Sequence, residues 1–409
     1  AKTPGDVSRS PMTEEEKKEA LEYLKNPKLI ENLLNDAKTL GHVGEENNFL
    51  LGYLVGLSRK LKNPLALFIV SQSSAGKTQL QDMVLSFTPP EDYLKLTRLT
   101  DQSLFYLEKD TLVHKLLAIE EEEGARGAGY SIRHLLSAGG LSNMATMKND
   151  QTGLMRSAHN EVKGPTSVFL TTTNPEINYE TYSRFVVLTV DESREQTKRI
   201  LELQRKQETF KGLLDKQSHE DLKRLHHNIQ RLILPLEVVN PYSERLTFTD
   251  NILRARREQK KYLTLIKTIA LLHQYQKETK EALSGGDSFR YIEADKEDIR
   301  LANRLAREVF LKGLSEMTPQ TKKVLPLIKE LADKRAQCER KTLESVVLSR
   351  RDIREHTGWT DYQLRKQIHE LEELEYLIPV QGQNGKRFTY ILMWDGSDTT
   401  EGLGLSDVD

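Results

Sequence analysis

Apolar positions change rhythm several times along the chain. Over residues 13–37, Leu21, Leu24, Leu29, Leu33 and Leu34 stand among charged residues, and Thr13 precedes Glu16 at capping-box spacing. Two short amphipathic helices are predicted there. Between Leu65 and Val190 short apolar runs alternate with helical stretches: 65–70 (LALFIV), 94–98 (LKLTR), 116–119 (LLAI), 166–172 (TSVFLTT) and 185–190 (FVVLTV). Strands alternating with helices at this spacing predict a parallel α/β sheet covered on both faces. From 191 to 314 the pattern is almost wholly helical and charge-rich, with helices expected over 260–275 and 295–312. Pro319 and Pro326 mark the next boundary. Residues 321–394 then carry three helical patterns and two strands joined at Asn384-Gly385, a tight-turn dipeptide. The tail from Asp395 is rich in Gly, Ser and Asp, lacks Lys and Arg, and is expected to be disordered. No internal repeat is visible.

Composition narrows the class. A chain of 409 residues has room for two to four domains with cores of their own. The single cysteine, Cys338, cannot form an internal disulfide or a multi-cysteine zinc site, which fits a reducing compartment and a scaffold without structural metal. No run approaches the length of a membrane span and the first thirty residues are charged, so a soluble, cytoplasmic protein with no membrane partner is expected. With 60 Lys and Arg against 61 Asp and Glu, a uniformly basic nucleic-acid coat is excluded, while local basic features are not. The chain begins at Ala1 rather than methionine, which suggests a piece of a longer polypeptide.

The candidate chemistry starts where LALFIV runs into Ser71-Gln72-Ser73-Ser74-Ala75-Gly76-Lys77-Thr78 and the helical QLQDMVLSF. Strand, small-residue loop and helix in that order form a phosphate loop. Backbone amides from Ser73, Ser74, Ala75 and Gly76 through Lys77, Thr78 and Gln79 cradle phosphates, Lys77 reaches the β and γ oxygens, and Thr78 ligates Mg²⁺. Ser71 replaces the usual first glycine, a departure that a small residue tolerates. Further on, LLAI ends in Glu120-Glu121-Glu122-Glu123. A buried parallel strand delivers such acids to the nucleotide, so register assigns Glu120 to the Mg²⁺ shell and Glu121 to the attacking water. Glu122 and Glu123 read as a solvated acidic run. The strand TSVFLTT ends in Thr173-Asn174-Pro175, which makes Asn174 a candidate for holding the lytic water or sensing the γ-phosphate. Arg184, ahead of the last strand, follows these features in the order used by AAA+ ATPases and is a candidate arginine finger.

Taken together, SSAGKT, LLAIEE, FLTTTNP and YSRFVVLTVDE resemble the AAA+ core of the mini-chromosome maintenance (MCM) helicases and their mobile-element relatives. The likeness is closer to the helicase half of bacterial zinc-finger primase–helicase proteins, through REQT, VVNPYS and KYLTLIKTIALLHQYQ, over about residues 13–320. It implies an α/β AAA+ P-loop parallel sheet with a pre-sensor β-hairpin, a helical lid and a C-terminal winged helix. It also implies a homohexameric ring using ATP and Mg²⁺, with Lys77, Thr78, Glu120, Glu121 and Asn174 acting in cis and Arg184 on the neighbour's nucleotide. LSNMATMKND and QTGLMRSAHNEVKG, meeting around Lys148-Asn149-Asp150, resemble the hairpin that grips DNA in the channel of ring helicases; Lys148 and Arg156 are its candidate phosphate contacts. The second hairpin of MCM proteins has too little room in 99–113.

A lid arginine that touches the γ-phosphate would lie in Arg254-Ala255-Arg256-Arg257, with Arg257 the choice among them. Near the carboxyl end, Ser349-Arg350-Arg351-Asp352-Ile353 opens a helix, and Thr360 with Gln363 caps the next. That helix places Leu364, Ile368 and Leu371 on one face and Arg365 and Lys366 outward, and Lys386 and Arg387 flank the turn of the β-wing. These four are the candidate DNA contacts of a winged helix. Glu370, Glu372, Glu373 and Glu375 leave protein contact as the alternative use of this helix. His219, His226 and His227 read as a solvated helix face.

The expected organisation is an N-terminal helical segment (1–48), the ATPase core (49–205), the lid (206–320), the winged helix (321–394) and an acidic tail (395–409). The expected function is a ring-forming replicative DNA helicase acting on single-stranded or forked DNA, for a mobile genetic element. A primase module or primase partner would belong with it. The rival is a non-unwinding AAA+ DNA-binding ATPase, a loader or defence switch; a transcription activator is disfavoured by the absence of a GAFTGA-like loop.

Overall fold

In this computed structural model, the described residues are 11–71, 76–100, 102–120, 129–148, 155–172, 183–248, 255–284, 287–314, 319–374, 376–381, 388–394 and 405. Two compact units are present, Ala1–Gly313 with Gly404–Asp409, and Leu314–Leu403. In the first unit the elements run α1 (Glu14–Lys25), α2 (Leu29–Thr39), α3 (Glu46–Leu57), β1 (Ala66–Val70), α4 (Lys77–Ser86), β2 (Tyr93–Leu96), β3 (Lys115–Ile119) and α5 (Gly129–Ala138). They continue with β4 (Gly140–Lys148), β5 (Met155–Lys163), β6 (Thr166–Thr172), β7 (Val186–Thr189), α6 (Arg194–Gln207) and α7 (Phe210–Leu232). β8 (Glu237–Val239), α8 (Ala255–Leu272), β9 (Lys280–Ser284), β10 (Asp287–Glu293) and α9 (Lys296–Leu314) follow.

The five apolar runs form one parallel sheet in the order β2-β3-β6-β1-β7. Its middle strand, β6, is buried along its whole length because neighbouring strands and both layers cover it. The Ser167 hydroxyl is satisfied inside that core, donating to the carbonyls of Leu65 (2.8 Å) and Val55 (3.0 Å). All strands point the same way, so the segments leaving β1, β3 and β6 emerge side by side. Between β3 and β6 the antiparallel pair β4–β5 runs from Gly140↔Lys163 to Lys148↔Met155.

One element escapes the pattern reading. α3 is apolar nearly all round, with Phe49 through Leu57 buried, and a helix without a polar face has no amphipathic period to detect. A division at 48/49 cuts through it. α3 packs so closely on α4 that a Cβ on Gly52 would meet Val84 Cγ2 at 2.9 Å.

Two expectations need correction. The region 191–314 is not almost wholly helical, because β8, β10 and β9 form a three-stranded sheet. Among the β10 residues whose burial is described only Ile292 is fully buried, and Phe289 stays exposed, so the strand buries little apolar surface to mark it in the sequence. His226 and His227 of α7 are not part of a solvated face either. His226 is fully buried against Phe87 (ring centroids 4.3 Å apart), and its Nε2 donates to Asp36 Oδ2 at 2.9 Å, which also accepts from the Tyr23 hydroxyl at 2.6 Å. His227 Nε2 donates to the Ser86 carbonyl at 3.0 Å. Tyr23, Asp36 and His226 thereby tie α1, α2 and α7 together.

Burial is the main cause that pushes the pKa values of His226 and His227 down, with Asp36 opposing it at His226. The unfolded chain therefore binds protons below about pH 6.5 that the folded chain refuses, and stability falls as pH drops through that window. The urea midpoint is expected to fall between pH 7 and pH 5, and to fall less steeply in His226→Gln; an equal slope in both proteins would contradict a buried neutral imidazole.

In the second unit α10 (Pro319–Glu339), β11 (Leu348–Ser349), α11 (Arg350–Thr357), α12 (Asp361–Glu373), β12 (Leu377–Gln381) and β13 (Thr389–Leu392) enclose their own core. Pro326 does not end a helix but lies inside α10, where buried Val324, Leu325 and Ile328 hold the chain helical despite the missing N–H. Ser349 and Asp352 form a capping box at the start of α11. Leu364, Ile368 and Leu371 are fully buried, leaving Arg365 and Lys366 exposed. β11, β13 and β12 form an antiparallel sheet in that order. Asn384, Gly385, Lys386 and Arg387 lie outside the described residues. Among the described residues no helix is long and apolar enough to cross a membrane.

Candidate functional site

β1 ends at Val70, and α4 opens at Lys77 with Gly76 as its N-cap. Gly76 has φ 99°, a left-handed conformation that only glycine adopts without strain, so the loop enters the helix at a point that a side chain would disturb. The first amides of α4 have no helical acceptors, and the helix dipole places partial positive charge there. Lys77 is buried, and its Nζ donates to the Ser71 carbonyl at 2.7 Å, bringing the ammonium back to the start of the loop. Thr78 and Gln79 are exposed on the first turn. Ser73, Ser74 and Ala75 lie outside the described residues. The Ser71 hydroxyl, at the position of the missing glycine, donates to Glu192 Oε1 beyond the end of β7.

Glu120 follows the last residue of β3, its N–H donating to the Leu96 carbonyl of β2 at 3.0 Å. Its carboxylate is half-buried and ion-paired with Lys95 Nζ at 2.6 Å; the same ammonium lies 2.7 Å from Asp82 Oδ1 on α4. Glu121 and Asn174, the latter beyond the end of β6, lie outside the described residues. The sheet order sets β6 between β3 and β1, so Glu120 and the phosphate loop leave the same edge one strand apart.

Arg184 is elsewhere. It precedes β7, which runs parallel to β1 with Val70 opposite Thr189. At about 3.3 Å per strand residue, its backbone stands roughly 15–20 Å back from the level of the phosphate loop. Its guanidinium donates to the Ser137 hydroxyl near the end of α5. Arg257 donates to the Ser183 hydroxyl, so it sits beside Arg184. Lys261, one turn further along α8, is buried; its Nζ donates to the Phe185 carbonyl and pairs with Glu258, both at 2.7 Å. These contacts fix α8 to the start of β7. Lys148 and Arg156 belong to β4 and β5, near the end where Lys148 pairs with Met155 and Met147 with Arg156.

Sequence reading missed Lys95 and Asp82, and it missed Ser183 as the partner of Arg257. Lys95 in LKL looks like an ordinary exposed strand residue; only the pairing of β2 with β3, Lys95 opposite Ala118, brings it to Glu120. The residues present fit a nucleotide with Mg²⁺. A glycine stands where a Cβ would be strained, a lysine is aimed along the loop, and a carboxylate already has a cation against it. Among the described residues no three His, Cys, Asp or Glu side chains gather as a metal site, and Mg²⁺ shared with phosphates needs only one or two protein ligands.

No curated protein matches the chain in sequence. The sequence model of one protein family, described as MTBMA_p00010 P-loop domain, matches residues 12–234, a stretch that runs from α1 through the phosphate loop and all five parallel strands to the end of α7. With a match over more than half its length and a parallel sheet carrying a phosphate loop after β1, the chain belongs to the MTBMA_p00010 P-loop domain family and carries a P-loop NTPase domain.

Proposed function

We propose that the chain is an MCM-like AAA+ DNA helicase that hydrolyses ATP between subunits of a homohexameric ring and draws DNA through the channel, in the service of a mobile genetic element. The observation that carries this reading is the opposition of Arg184 and the phosphate loop across the sheet. An arginine at the amino end of β7 cannot reach phosphates bound at the carboxyl end of β1 in its own subunit. If it acts on a nucleotide, that nucleotide belongs to a neighbouring subunit. Arg257, tied to the adjacent Ser183, accompanies it.

In the mechanism that follows, the amides of Ser73 to Gln79 bind the phosphates and Lys77 steadies the β and γ oxygens. Thr78 and Glu120 would hold Mg²⁺, which when bound would supply charge neutralisation at those oxygens. Glu121 takes the proton of the attacking water, Asn174 orients it, and the neighbour's Arg184 stabilises the charge of the departing phosphoryl group. Residues 206–320 serve as the lid, and 321–394 as a winged helix whose Arg365, Lys366, Lys386 and Arg387 contact DNA. The β4–β5 hairpin, inserted between the acidic strand and β6, reaches DNA through Lys148 and Arg156. A primase module or partner would supply primers.

The test is strand displacement on a forked duplex beside ATP hydrolysis. ATP-dependent separation is expected; hydrolysis with no separation at any protein concentration would favour a non-unwinding loader or switch. Lys148→Ala is expected to weaken DNA binding and to lower the slope of log affinity against log salt by about one. An unchanged slope would remove the hairpin from the DNA path.

A further inference from the structure

We infer that Lys95 is an internal counter-ion that occupies the Mg²⁺ side of Glu120 and must release it for the metal to bind. The inference rests on the assignment of Glu120 as a Mg²⁺ ligand. Lys95 Nζ lies 2.6 Å from Glu120 Oε1 and 2.7 Å from Asp82 Oδ1, so one ammonium bridges the carboxylate at the end of β3 and a carboxylate on the phosphate-loop helix. Three features make this more than a surface ion pair. Glu120 is anchored to the sheet by its backbone, its N–H donating to the Leu96 carbonyl of β2. Lys95 comes from the neighbouring strand at a fixed register, so its ammonium is delivered to the end of β3 by the sheet and not by a loop. Asp82 stands about a turn and a half into α4 from Lys77, and gives the ammonium a second partner to keep when Glu120 is taken by metal.

A cation on Glu120 has two effects. It keeps the carboxylate compensated and oriented before nucleotide arrives, and it competes with Mg²⁺ for the same carboxylate. Metal binding then exchanges a Lys95–Glu120 pair for a Mg²⁺–Glu120 contact while Lys95 stays on Asp82. The exchange links the position of β2 to the metal state of the site, with Lys95 acting as a positioning residue.

The experiment titrates Mg²⁺ into the full chain with a fluorescent ADP analogue and reads the Mg²⁺ concentration at half-maximal nucleotide binding. Lys95→Met is expected to lower that midpoint roughly two- to fivefold, the range that loss of a partly exposed ion pair allows. Glu120→Gln is expected to raise it, and in the Glu120→Gln background the Lys95→Met effect should vanish, because the two act through one contact. A Lys95→Met effect of equal size in both backgrounds would reduce Lys95 to a general field and overturn the inference, as would no shift in Lys95→Met or in the milder Lys95→Gln. If instead Glu120→Gln leaves the midpoint unchanged, the metal assignment itself fails, which is a distinct result. Urea midpoints of each variant, read in parallel, show whether a variant is folded; Lys95→Gln serves if Lys95→Met is not.

Discussion

Lys77→Ala is expected to abolish nucleotide hydrolysis, lowering the rate on the order of a hundred- to a thousandfold, the usual consequence of removing one fixed donor at developing negative charge. Lys77 is the first residue of α4, its side chain is buried, and its ammonium returns to the Ser71 carbonyl across the loop. The next charge at the site, Lys95, is engaged by Glu120 and Asp82. Nucleotide affinity should fall as well, because a phosphate-loop lysine contacts the phosphates in the ground state. Lys77→Arg should rescue little, since the longer planar fork does not fit a slot shaped for a point charge. Steady-state hydrolysis with a binding titration checks both parts; hydrolysis near the wild-type rate in Lys77→Ala would remove the phosphate loop from the chemistry.

Arg184→Ala should act differently, leaving nucleotide binding largely intact while lowering hydrolysis about a thousandfold or more, as loss of an arginine finger does. The separation follows from placement. Arg184 precedes β7, and its guanidinium rests on Ser137 of α5, away from the loop that β1 delivers. A residue so placed contributes nothing to phosphate binding in its own subunit. Ser137→Ala, which removes that one contact and keeps the charge, is expected to have a much smaller effect. A parallel loss of affinity and rate in Arg184→Ala would mean that the arginine acts within its own site.

Much of this architecture is legible in the sequence because the sheet is parallel and buried on both faces. Runs such as LALFIV and TSVFLTT are uniformly apolar, and β6 coincides with its run from Thr166 to Thr172. The amphipathic face of α12 is equally plain, with Leu364, Ile368 and Leu371 buried and Arg365 and Lys366 outside. What is hidden has physical reasons. α3 lacks a polar face, β9 and β10 leave Leu283 and Phe289 exposed, and the buried imidazole of His226 depends on Asp36 and Tyr23, contributed by helices distant in sequence. The site shows the same division. The phosphate loop follows a local strand–loop–helix logic, so residue order alone points to it, and the same order places Glu120 at the end of β3. Lys95 and Ser183 acquire their roles only through strand register and the docking of α8, which a linear pattern does not record.

Hydrolysis across a subunit interface is tested most directly by mixing Lys77→Ala and Arg184→Ala proteins. Each is inactive alone, but in a mixed ring some interfaces pair an intact phosphate loop with an intact arginine. Partial recovery of ATP hydrolysis that tracks the mixing ratio, in rings proven by differential labelling to contain both proteins, is the expected result. Mixed rings that stay as inactive as either parent would contradict action in trans and return Arg184 to a role within its own subunit.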